Sequence, residues 1–532
     1  MININKKDEK IMGKIERTKN ATRNIMFGGI LKIYQIIMPF IMRTAMLYLL
    51  GVQYLGLNSL FVSILQVLNL AELGVGSAMV YSIYKPIVDD DTKQICALMK
   101  LYKLYYRIIG LVIAIFGVIL LPFIPRLISG GVPSDINVYV LYLLNLGATV
   151  LTYWLFAYKN CLLNAYQRDD ITSKITLIMA SIQYLFQILT LVLRNYYLYL
   201  IVSLFIQALT NIVTAIIVSK MYPNYNPTGE LEKNEIKKIN RRVRDLFTSK
   251  IGGVILNSSD TIVISAFLGL TMLAVYQNYF YILNSIIMFV SIIFNSCVAG
   301  IGNSIIVETK EKNFNDLKKF TFIIAWIAGF CTCCLLCLYQ PFIKIWVGEQ
   351  YELDFTAVIC LCIYYFVYEI NKLLNMYKDA AGIWHEDRFR PLIAALVNLG
   401  LNLILVNIIG IYGVMISTVL ATILVEIPWL LYNLFTILFE KSYLRGYLKN
   451  ICLYTIVCFI GCLITYLICD LVNLSDWIEI IVKGLICCVV PNIIFYGAYR
   501  KTSEFMQSIE LADKITRGKL SLKSRLLNIN GN

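Results

Sequence analysis

The sequence predicts an all-α integral membrane protein that crosses a bilayer about fourteen times. Hydrophobic residues make up 59% of the chain and charged residues 15%, whereas soluble domains average roughly 45–50% apolar and about 25% charged residues. The mean hydropathy is +0.70, and apolar runs recur along the whole chain. Because no soluble core could take up so much apolar surface, a polytopic membrane protein is the class that fits.

A membrane-spanning helix needs about 20 mostly apolar residues, and fourteen segments meet this rule. The first six predicted spans are 26–48, 56–84, 107–128, 138–162, 171–193 and 196–219. The next six are 250–270, 273–299, 319–345, 355–377, 391–409 and 411–437. The last two are 450–469 and 479–499. The run 56–84 is longer than a straight span requires, which predicts a tilt or a break.

Lys and Arg residues are distributed unevenly among the segments that join the spans. With the N-terminus placed in the cytoplasm, three of the 47 fall in outer segments, at Arg126, Arg194 and Lys344, and five fall within spans. The others lie in inner segments or at the adjoining helix ends, which is typical of cytoplasmic loops. The pattern predicts an even number of spans with both termini in the cytoplasm.

The distribution of the net charge and of the cysteines argues against a nucleic-acid-binding protein and against a metalloprotein. The formal net charge of +14 is spread over many short segments, so we expect no nucleic-acid partner. The fifteen cysteines lie mostly inside apolar runs, as in CTCCLLC (331–337). A metal cluster is one interpretation of that run. We favour small, polarisable packing residues and expect no metal.

Two short patterns recur, at offsets of 218 and 226 residues. LLGVQYLG (49–56) resembles FLGLTMLA (267–274), and LGVGSA (73–78) resembles AGIGNS (299–304). Both pairs occupy the same place in the order of spans, so they predict a parallel repeat of six helices. The predicted domains are an N-terminal six-helix bundle (1–220), a cytoplasmic linker (221–249), a C-terminal six-helix bundle (250–440), two appended helices (441–500) and a basic cytoplasmic tail (501–532).

Ionisable residues inside the predicted spans are the candidates for a transport cavity, because such groups tend to face a bundle interior or water. The set comprises Lys32, Arg43, Glu72, Lys250, Asp260, Glu369, Lys372 and Glu426. Lys32 and Arg43 are eleven residues apart, about three turns, so they share one helix face. We expect that face to line a polar cavity between the two halves.

Small residues mark a second kind of candidate site. Gly74 and Gly76, together with their repeat counterparts Gly300 and Gly302, are expected to let helices bend or pack closely. They are therefore candidates for hinges or for helix contacts, and not for substrate binding.

Several of the charged candidates also have a structural explanation. Lys32 and Lys250 could extend to the headgroups, and Glu369 and Lys372 could neutralise each other across one helical turn. Glu426 precedes Ile427-Pro428, where a kink gives it a structural role as plausible as a transport role. These alternatives stay open at the level of the sequence.

Glu72 and Asp260 are short acids that cannot extend to the membrane surface, so each needs a partner or a function. An ion pair with Arg43 is the best structural explanation for either acid. For Glu72 the other interpretation is the binding of a proton or a sodium ion that drives a transport cycle. We favour the pair with Arg43, because a neutralised arginine costs less in an empty cavity.

Four segments carry a resemblance to a known family: YLGLNSLFVSILQVLNLAELGVGSAMVYSIYKP (54–86), KIGGVILNSSDTIVISAFLGL (250–270), AGIGNSI (299–305) and DAAGIWHEDRFRPLI (379–393). With the arrangement of six, six and two helices, they resemble the multidrug/oligosaccharidyl-lipid/polysaccharide exporter superfamily. Within it the sequence looks like the Wzx-type oligosaccharide flippases. The resemblance extends over essentially the whole chain and implies a MATE-like fold of two six-helix bundles plus two C-terminal helices.

The resemblance implies a flippase and not an enzyme. Its substrate would be an oligosaccharide on a polyprenyl diphosphate carrier, turned over across the bacterial cytoplasmic membrane by alternating access for surface polysaccharide biosynthesis. Other implied partners are membrane lipids and proteins of polysaccharide assembly, and no cofactor is implied beyond a coupling proton or sodium ion. A cation-coupled multidrug antiporter of the same superfamily is the alternative. A polymerase or glycosyltransferase is disfavoured, since no predicted outer loop exceeds about twenty residues.

Overall fold

The structure is a computed structural model that describes residues 17–515. Every regular element in this range is a helix, so the predicted all-α class is confirmed. Residues 1–16 and the part of the predicted tail from 516 to 532 lie outside the described range. The chain divides into two compact units, the first ending at Ala274 and the second beginning at Val275.

The first unit contains eight helices and the start of a ninth. They are α1 (Arg17–Leu49), α2 (Val52–Leu68), α3 (Val75–Val88), α4 (Thr92–Leu120), α5 (Val138–Trp154), α6 (Asn160–Ala165), α7 (Asp169–Val192) and α8 (Tyr196–Met221). Short 3-10 turns occupy Asn69–Glu72, Leu121–Leu127 and Ala157–Lys159. Helix α9 (Lys233–Val307) begins in this unit and continues into the second. Most of the predicted linker is therefore helical.

The second unit continues with eight further helices. They are α10 (Lys310–Val347), α11 (Phe355–Ala380), α12 (Arg390–Ile409), α13 (Ile411–Ala421), α14 (Ile427–Asn433), α15 (Leu444–Asp470), α16 (Asp476–Tyr499) and α17 (Ser503–Ile515). Two π-helical turns, Thr422–Glu426 and Leu434–Leu438, follow α13 and α14. Such turns are rare and are frequently found at functional sites.

Within residues 17–515, twelve helical segments are long and apolar enough to cross a bilayer, or thirteen if the bent pair Val138–Trp154 and Ala157–Ala165 counts as one span. One of the twelve, Lys233–Ile292, is 60 residues long, about three times what one span requires. It is interrupted at Gly269 (φ 84°, ψ 174°), one residue before the end of the predicted span 250–270 and four before the start of the span 273–299. All fourteen predicted spans thus fall on helical segments, and the polytopic membrane fold is confirmed.

Polar side chains start many of these helices. Asp91, Asn137, Asn195, Thr309 and Asp354 each accept a hydrogen bond from a backbone N–H in the first turn of the helix that follows. A helix leaves its first four N–H groups without intrahelical partners, and such caps satisfy one or two of them. The caps therefore fix where each apolar segment becomes helical.

One face of α1 is an exposed apolar stripe, as expected for a helix that contacts lipid. Ile30, Ile33, Ile37 and Ile41 recur at helical spacing, and between 42% and 54% of their surface is exposed. A soluble protein would bury such a stripe, whereas a membrane helix presents it to the hydrocarbon.

Candidate functional site

The second predicted span is broken in the middle. Helix α2 ends at Leu68, the 3-10 turn Asn69–Glu72 follows, and α3 begins at Val75. Between the turn and α3, Gly74 has a left-handed backbone conformation (φ 89°, ψ −21°). The unusual length of the run 56–84 is thus explained by a break that places Glu72 outside regular α-helix.

Gly74 is a position where only glycine fits without strain. A Cβ atom there would lie 2.6 Å from the Leu246 Cβ and 3.0 Å from the Val243 carbonyl oxygen of α9. Its backbone conformation also disfavours L-residues with side chains. The break and the close approach of α9 therefore require this glycine.

The other three predicted hinge or packing glycines lie inside regular helices. Gly76 in α3 would place a Cβ 3.2 Å from the Tyr102 hydroxyl, and Gly302 in α9 would place one 3.5 Å from the Ala380 carbonyl oxygen. Gly300 has no described atom within 4 Å of such a Cβ. The repeat-related glycines therefore do not share one structural role.

Glu72 is held by phenol groups from two other helices. Tyr106 of α4 donates to its Oε1 and Tyr153 of α5 donates to its Oε2, each at 2.7 Å. Tyr102 in turn donates to the Tyr106 hydroxyl at 2.6 Å. We call Glu72 with these three tyrosines the tyrosine cage. It offers a chain of hydroxyl groups along which a proton could pass to or from a carboxylate.

The sequence suggested Arg43 as the partner of Glu72. Among the described contacts, the Glu72 oxygens accept hydrogen bonds from tyrosine hydroxyls, and the favoured ion pair with Arg43 stays a prediction. Arg43 lies half-buried in α1 and acts electrostatically on Tyr199 of α8. The sequence could not have indicated the tyrosines, because they lie 34 and 81 residues from Glu72 and the chain has 36 of them.

The remaining charged candidates of the first unit lie on α1 and α9. Lys32 and Lys250 are exposed, and Asp260 is half-buried. Lys32 shares the continuous helix α1 with Arg43, so their predicted common face follows from helix geometry. Because both lysines are exposed, their ammonium groups are accessible to a ligand or to headgroups.

Glu426 of the second unit belongs to a buried ion network. Arg390 donates to its Oε1 at 3.0 Å and to both Asp387 oxygens at 2.7 and 2.9 Å. The same guanidinium donates to Asn375 Oδ1 at 2.7 Å, while Asn371 donates to Glu426 Oε2 at 2.5 Å. Arg390 and Asp387 are each 3% exposed. We call these five residues the Arg390 network.

The Arg390 network was missed by the sequence analysis, which considered ionisable residues inside spans. Arg390 lies one residue before the predicted span 391–409, and Asp387 lies in the loop before it. Their i,i+3 spacing was a signal for a pair at a helix start. Because its charges are paired, the network favours the structural interpretation of Glu426.

Glu369 in α11 is the most deeply buried of the three intramembrane glutamates. It is 1% exposed, and neither of its carboxyl oxygens has a hydrogen-bond partner among the described atoms. Lys372 follows one turn later and is half-buried, but no ion pair within 4.0 Å joins the two in the described structure. Lys372 nevertheless acts electrostatically on Glu369, so their mutual neutralisation stays a prediction.

Three cysteines come together on different helices of the second unit. The sulfur atoms of Cys337, Cys469 and Cys487 lie within 4.8 Å of one another, and all three residues are buried. They come from α10, α15 and α16, so the sequence run 331–337 does not itself form the cluster. Structural zinc sites use four ligands. Packing in an apolar environment remains our interpretation.

The fold is similar to those of solved transporters and flippases. The lipid II flippase MurJ, in an inward closed conformation, aligns with a TM-score of 0.62 at 17% identity, covering 90% of this chain and 99% of that one. An inward-facing multidrug resistance MATE family transporter of the MOP superfamily aligns at 0.59 with 14% identity, covering 79% and 99%. A MATE structure in a bent conformation aligns at 0.50 with 14% identity, covering 84% and 99%.

These identities establish the fold alone. No family model matches the sequence, and no curated protein matches it. The expected MATE-like membrane fold is confirmed, and the proteins that share it are named as transporters or flippases and not as enzymes.

Proposed function

We propose that this multi-pass membrane protein is a flippase that moves polyprenyl-diphosphate-linked oligosaccharide units across the bacterial cytoplasmic membrane for the assembly of a surface polysaccharide. The observation that carries the proposal is the likeness to a lipid II flippase over 99% of that protein's length, since its name gives a lipid as cargo. The Wzx-type resemblance of the sequence supplies the oligosaccharide.

The charges of the first unit suit a diphosphate. Lys32 and Lys250 are exposed, and Arg43 shares a helix with Lys32. An ammonium group binds a phosphate as a point charge, and a guanidinium can hold two phosphate oxygens at once. The excess of Lys and Arg in the predicted inner segments predicts that both termini lie in the cytoplasm, where such a substrate would be loaded.

We further propose alternating access driven by a proton or a sodium ion. Glu72 in the tyrosine cage and Glu369 in α11 are the acids that could take up such an ion, because neither is paired with a described cation. Gly74 supplies a bend at the cage about which α2 and α3 could move. We assign the Arg390 network a structural role and not a role in transport.

The proposal is tested in cells that lack the protein. Lipid-linked oligosaccharide is extracted, and its sidedness is read with an impermeant reagent specific for sugars. We expect intermediates trapped on the cytoplasmic face, released when the wild-type protein is expressed again. Normal surface polysaccharide without a trapped intermediate would contradict the flippase.

A multidrug antiporter is the second candidate, favoured by the MATE likeness at a TM-score of 0.59. A cavity for cationic drugs needs acidic residues, whereas the charged residues on α1 are basic. Expression in a drug-sensitive host separates the two. Raised resistance to cationic drugs, without any effect on lipid-linked oligosaccharide, would favour the antiporter.

A further inference from the structure

The first unit contains an uncharged polar cavity of about 470 Å³. It lies among α2, α5 and α8 and the 3-10 turn that carries Glu72. Its polar lining consists of Gln66, Asn69, Asn145, Thr149, Ser203 and Gln207. The other lining residues are Val, Leu and Ala. The volume falls within the range of roughly 300–1,000 Å³ that is typical of small-molecule sites.

The position of these amides in membrane helices needs an explanation. Four of the six polar residues are Asn or Gln, each within or next to a segment that crosses the bilayer. An amide facing hydrocarbon without a hydrogen bond costs several kcal/mol. The cavity is therefore suited to water or to a polar ligand and not to lipid chains.

Several hydrogen-bonding groups of the cavity are available to a ligand. Gln66 and Gln207 are exposed, and within the described residues neither side chain is engaged in an intramolecular hydrogen bond. The Asn145 amide nitrogen donates to the Leu141 carbonyl oxygen, which leaves its side-chain oxygen as an acceptor. Ser203 accepts from Gln183 and keeps its own proton to donate. The lining thus offers both donors and acceptors beside apolar side chains.

The lining also contains no charged residue. A diphosphate would need cations, and a cationic drug would need an acid. Glu72, which shares a 3-10 turn with the lining residue Asn69, is already held by Tyr106 and Tyr153. Amide groups can donate and accept at once, which matches sugar hydroxyl groups, and the Leu and Val side chains suit the apolar C–H face of a sugar ring.

We propose that this cavity is the binding subsite for the uncharged sugar residues of the transported oligosaccharide. The assignment rests on the proposed function and adds to it the location and chemical class of the sugar contact. The diphosphate would then bind elsewhere, at the cations of α1 and α9. Gln66 and Gln207 are the specificity-determining contacts, because both amides are free to turn toward a ligand.

The first test measures binding to the purified full-length protein in nanodiscs by saturation-transfer NMR. The probes are the methyl glycosides of glucose, galactose and N-acetylglucosamine, with methyl glucuronide as a charged comparison. We expect saturation transfer to at least one uncharged glycoside, undiminished by added inorganic pyrophosphate. In the double variant Gln66→Leu/Gln207→Leu, we expect affinity at least about fivefold lower.

Gln53→Leu is the matched control, because Gln53 lies exposed on the same helix α2 but outside the cavity. It should bind glycosides as the wild type does. If the double variant elutes abnormally on gel filtration, the single variants Gln66→Leu and Gln207→Leu replace it in the binding measurement. No saturation transfer from any uncharged glycoside, or equal transfer in the double variant, would overturn the subsite.

The second test is rescue of the deletion strain, which separates this inference from the proposed function. If wild type and Gln53→Leu release the trapped intermediate while the double variant releases at least about fivefold less at equal protein level, both proposals are supported. Full rescue by the double variant overturns the subsite and leaves the flippase standing. If no intermediate is trapped, the proposed flippase function is overturned. The NMR binding test then decides by itself whether the cavity binds uncharged sugars.

Discussion

The two units of the chain hold their intramembrane glutamates in different ways. In the first unit, Glu72 lies in a helix break, and each of its carboxyl oxygens accepts a hydrogen bond from a tyrosine hydroxyl at an O···O distance of 2.7 Å. In the second unit, Glu369 lies in the uninterrupted helix α11, is 1% exposed and has no described hydrogen-bond donor. A carboxylate needs donors to remain charged away from water. The first site can hold a charge, and the second favours a neutral acid.

Glu426 shows a third arrangement, within the second unit itself. It receives hydrogen bonds from Arg390 and Asn371, so its charge is compensated at short range. Buried ion pairs of this kind cost much to break but little to replace as a whole. The comparison teaches that the role of an intramembrane acid follows from its donors and not from its depth in the membrane.

The largest effect is expected from breaking the Arg390 network. Arg390→Met leaves Glu426 buried without its cation and leaves Asp387 with Lys378 alone, 3.4 Å away, so we expect the free energy of unfolding to fall by about 3–5 kcal/mol. Thermal unfolding of the purified protein in one detergent measures this loss. Arg388→Met is the matched control, because Arg388 is an exposed arginine in the same loop.

The triple variant Asp387→Asn/Arg390→Met/Glu426→Gln tests whether the lost stability comes from buried charges without a partner. It removes all three charges together, so most of the lost stability should return. Equal stability of Arg390→Met and Arg388→Met would show that the network does not stabilise the second unit. Glu426 would then return to the transport candidates.

A smaller effect is expected from the helix break that carries Glu72. Gly74→Ala forces a side chain into a left-handed conformation, at about 1–2 kcal/mol, and against α9, at about 1–3 kcal/mol. Gly300→Ala, at the repeat-related position, lies in a helix with open space and should stabilise by up to about 1 kcal/mol. Unfolding experiments on both variants compare the two units at equivalent sequence positions.

If Gly74→Ala and Gly300→Ala changed the free energy of unfolding by similar amounts, the expected difference between the two units would be wrong. That outcome would mean that α2 and α3 can join into a straight helix, or that α9 needs Gly300 for a contact. Transport should also differ, because Gly74→Ala displaces the turn that aims Glu72 at the tyrosines. Reduced rescue by Gly74→Ala at normal protein level would support this turn as part of the transport machinery.

The positions of the membrane-spanning helices could be predicted from the sequence, because the thickness of the bilayer fixes the length of each apolar run. The sequence also predicted a tilt or a break in the run 56–84, since 29 residues exceed one span, and the structure shows a break. The sequence did not predict Tyr106 and Tyr153, because a hydrogen-bond partner from a distant helix depends on tertiary packing. Arg390 was missed for a different reason: span ends are uncertain by two to four residues, and it lies at such an end.

The smallest effect on stability, and the most informative, is expected from Glu369→Gln. The amide has nearly the shape of a protonated carboxyl group, so the free energy of unfolding should change by no more than about 0.5 kcal/mol. Glu72→Gln is the matched comparison. It replaces two hydrogen bonds to a charged acceptor by weaker ones, and we expect a loss of about 1–2 kcal/mol.

Glu369→Gln and Glu72→Gln also separate an effect on stability from an effect on coupling to the proton gradient. In proteoliposomes with an imposed proton gradient, Glu369→Gln should no longer respond to the gradient, since an amide cannot release a proton, although the protein is fully folded. A loss of stability in Glu369→Gln as large as in Glu72→Gln would show that Glu369 is ionised and paired in the native state. An unchanged response to the proton gradient would instead assign the coupling ion to the tyrosine cage, where Glu72→Gln should then abolish the response.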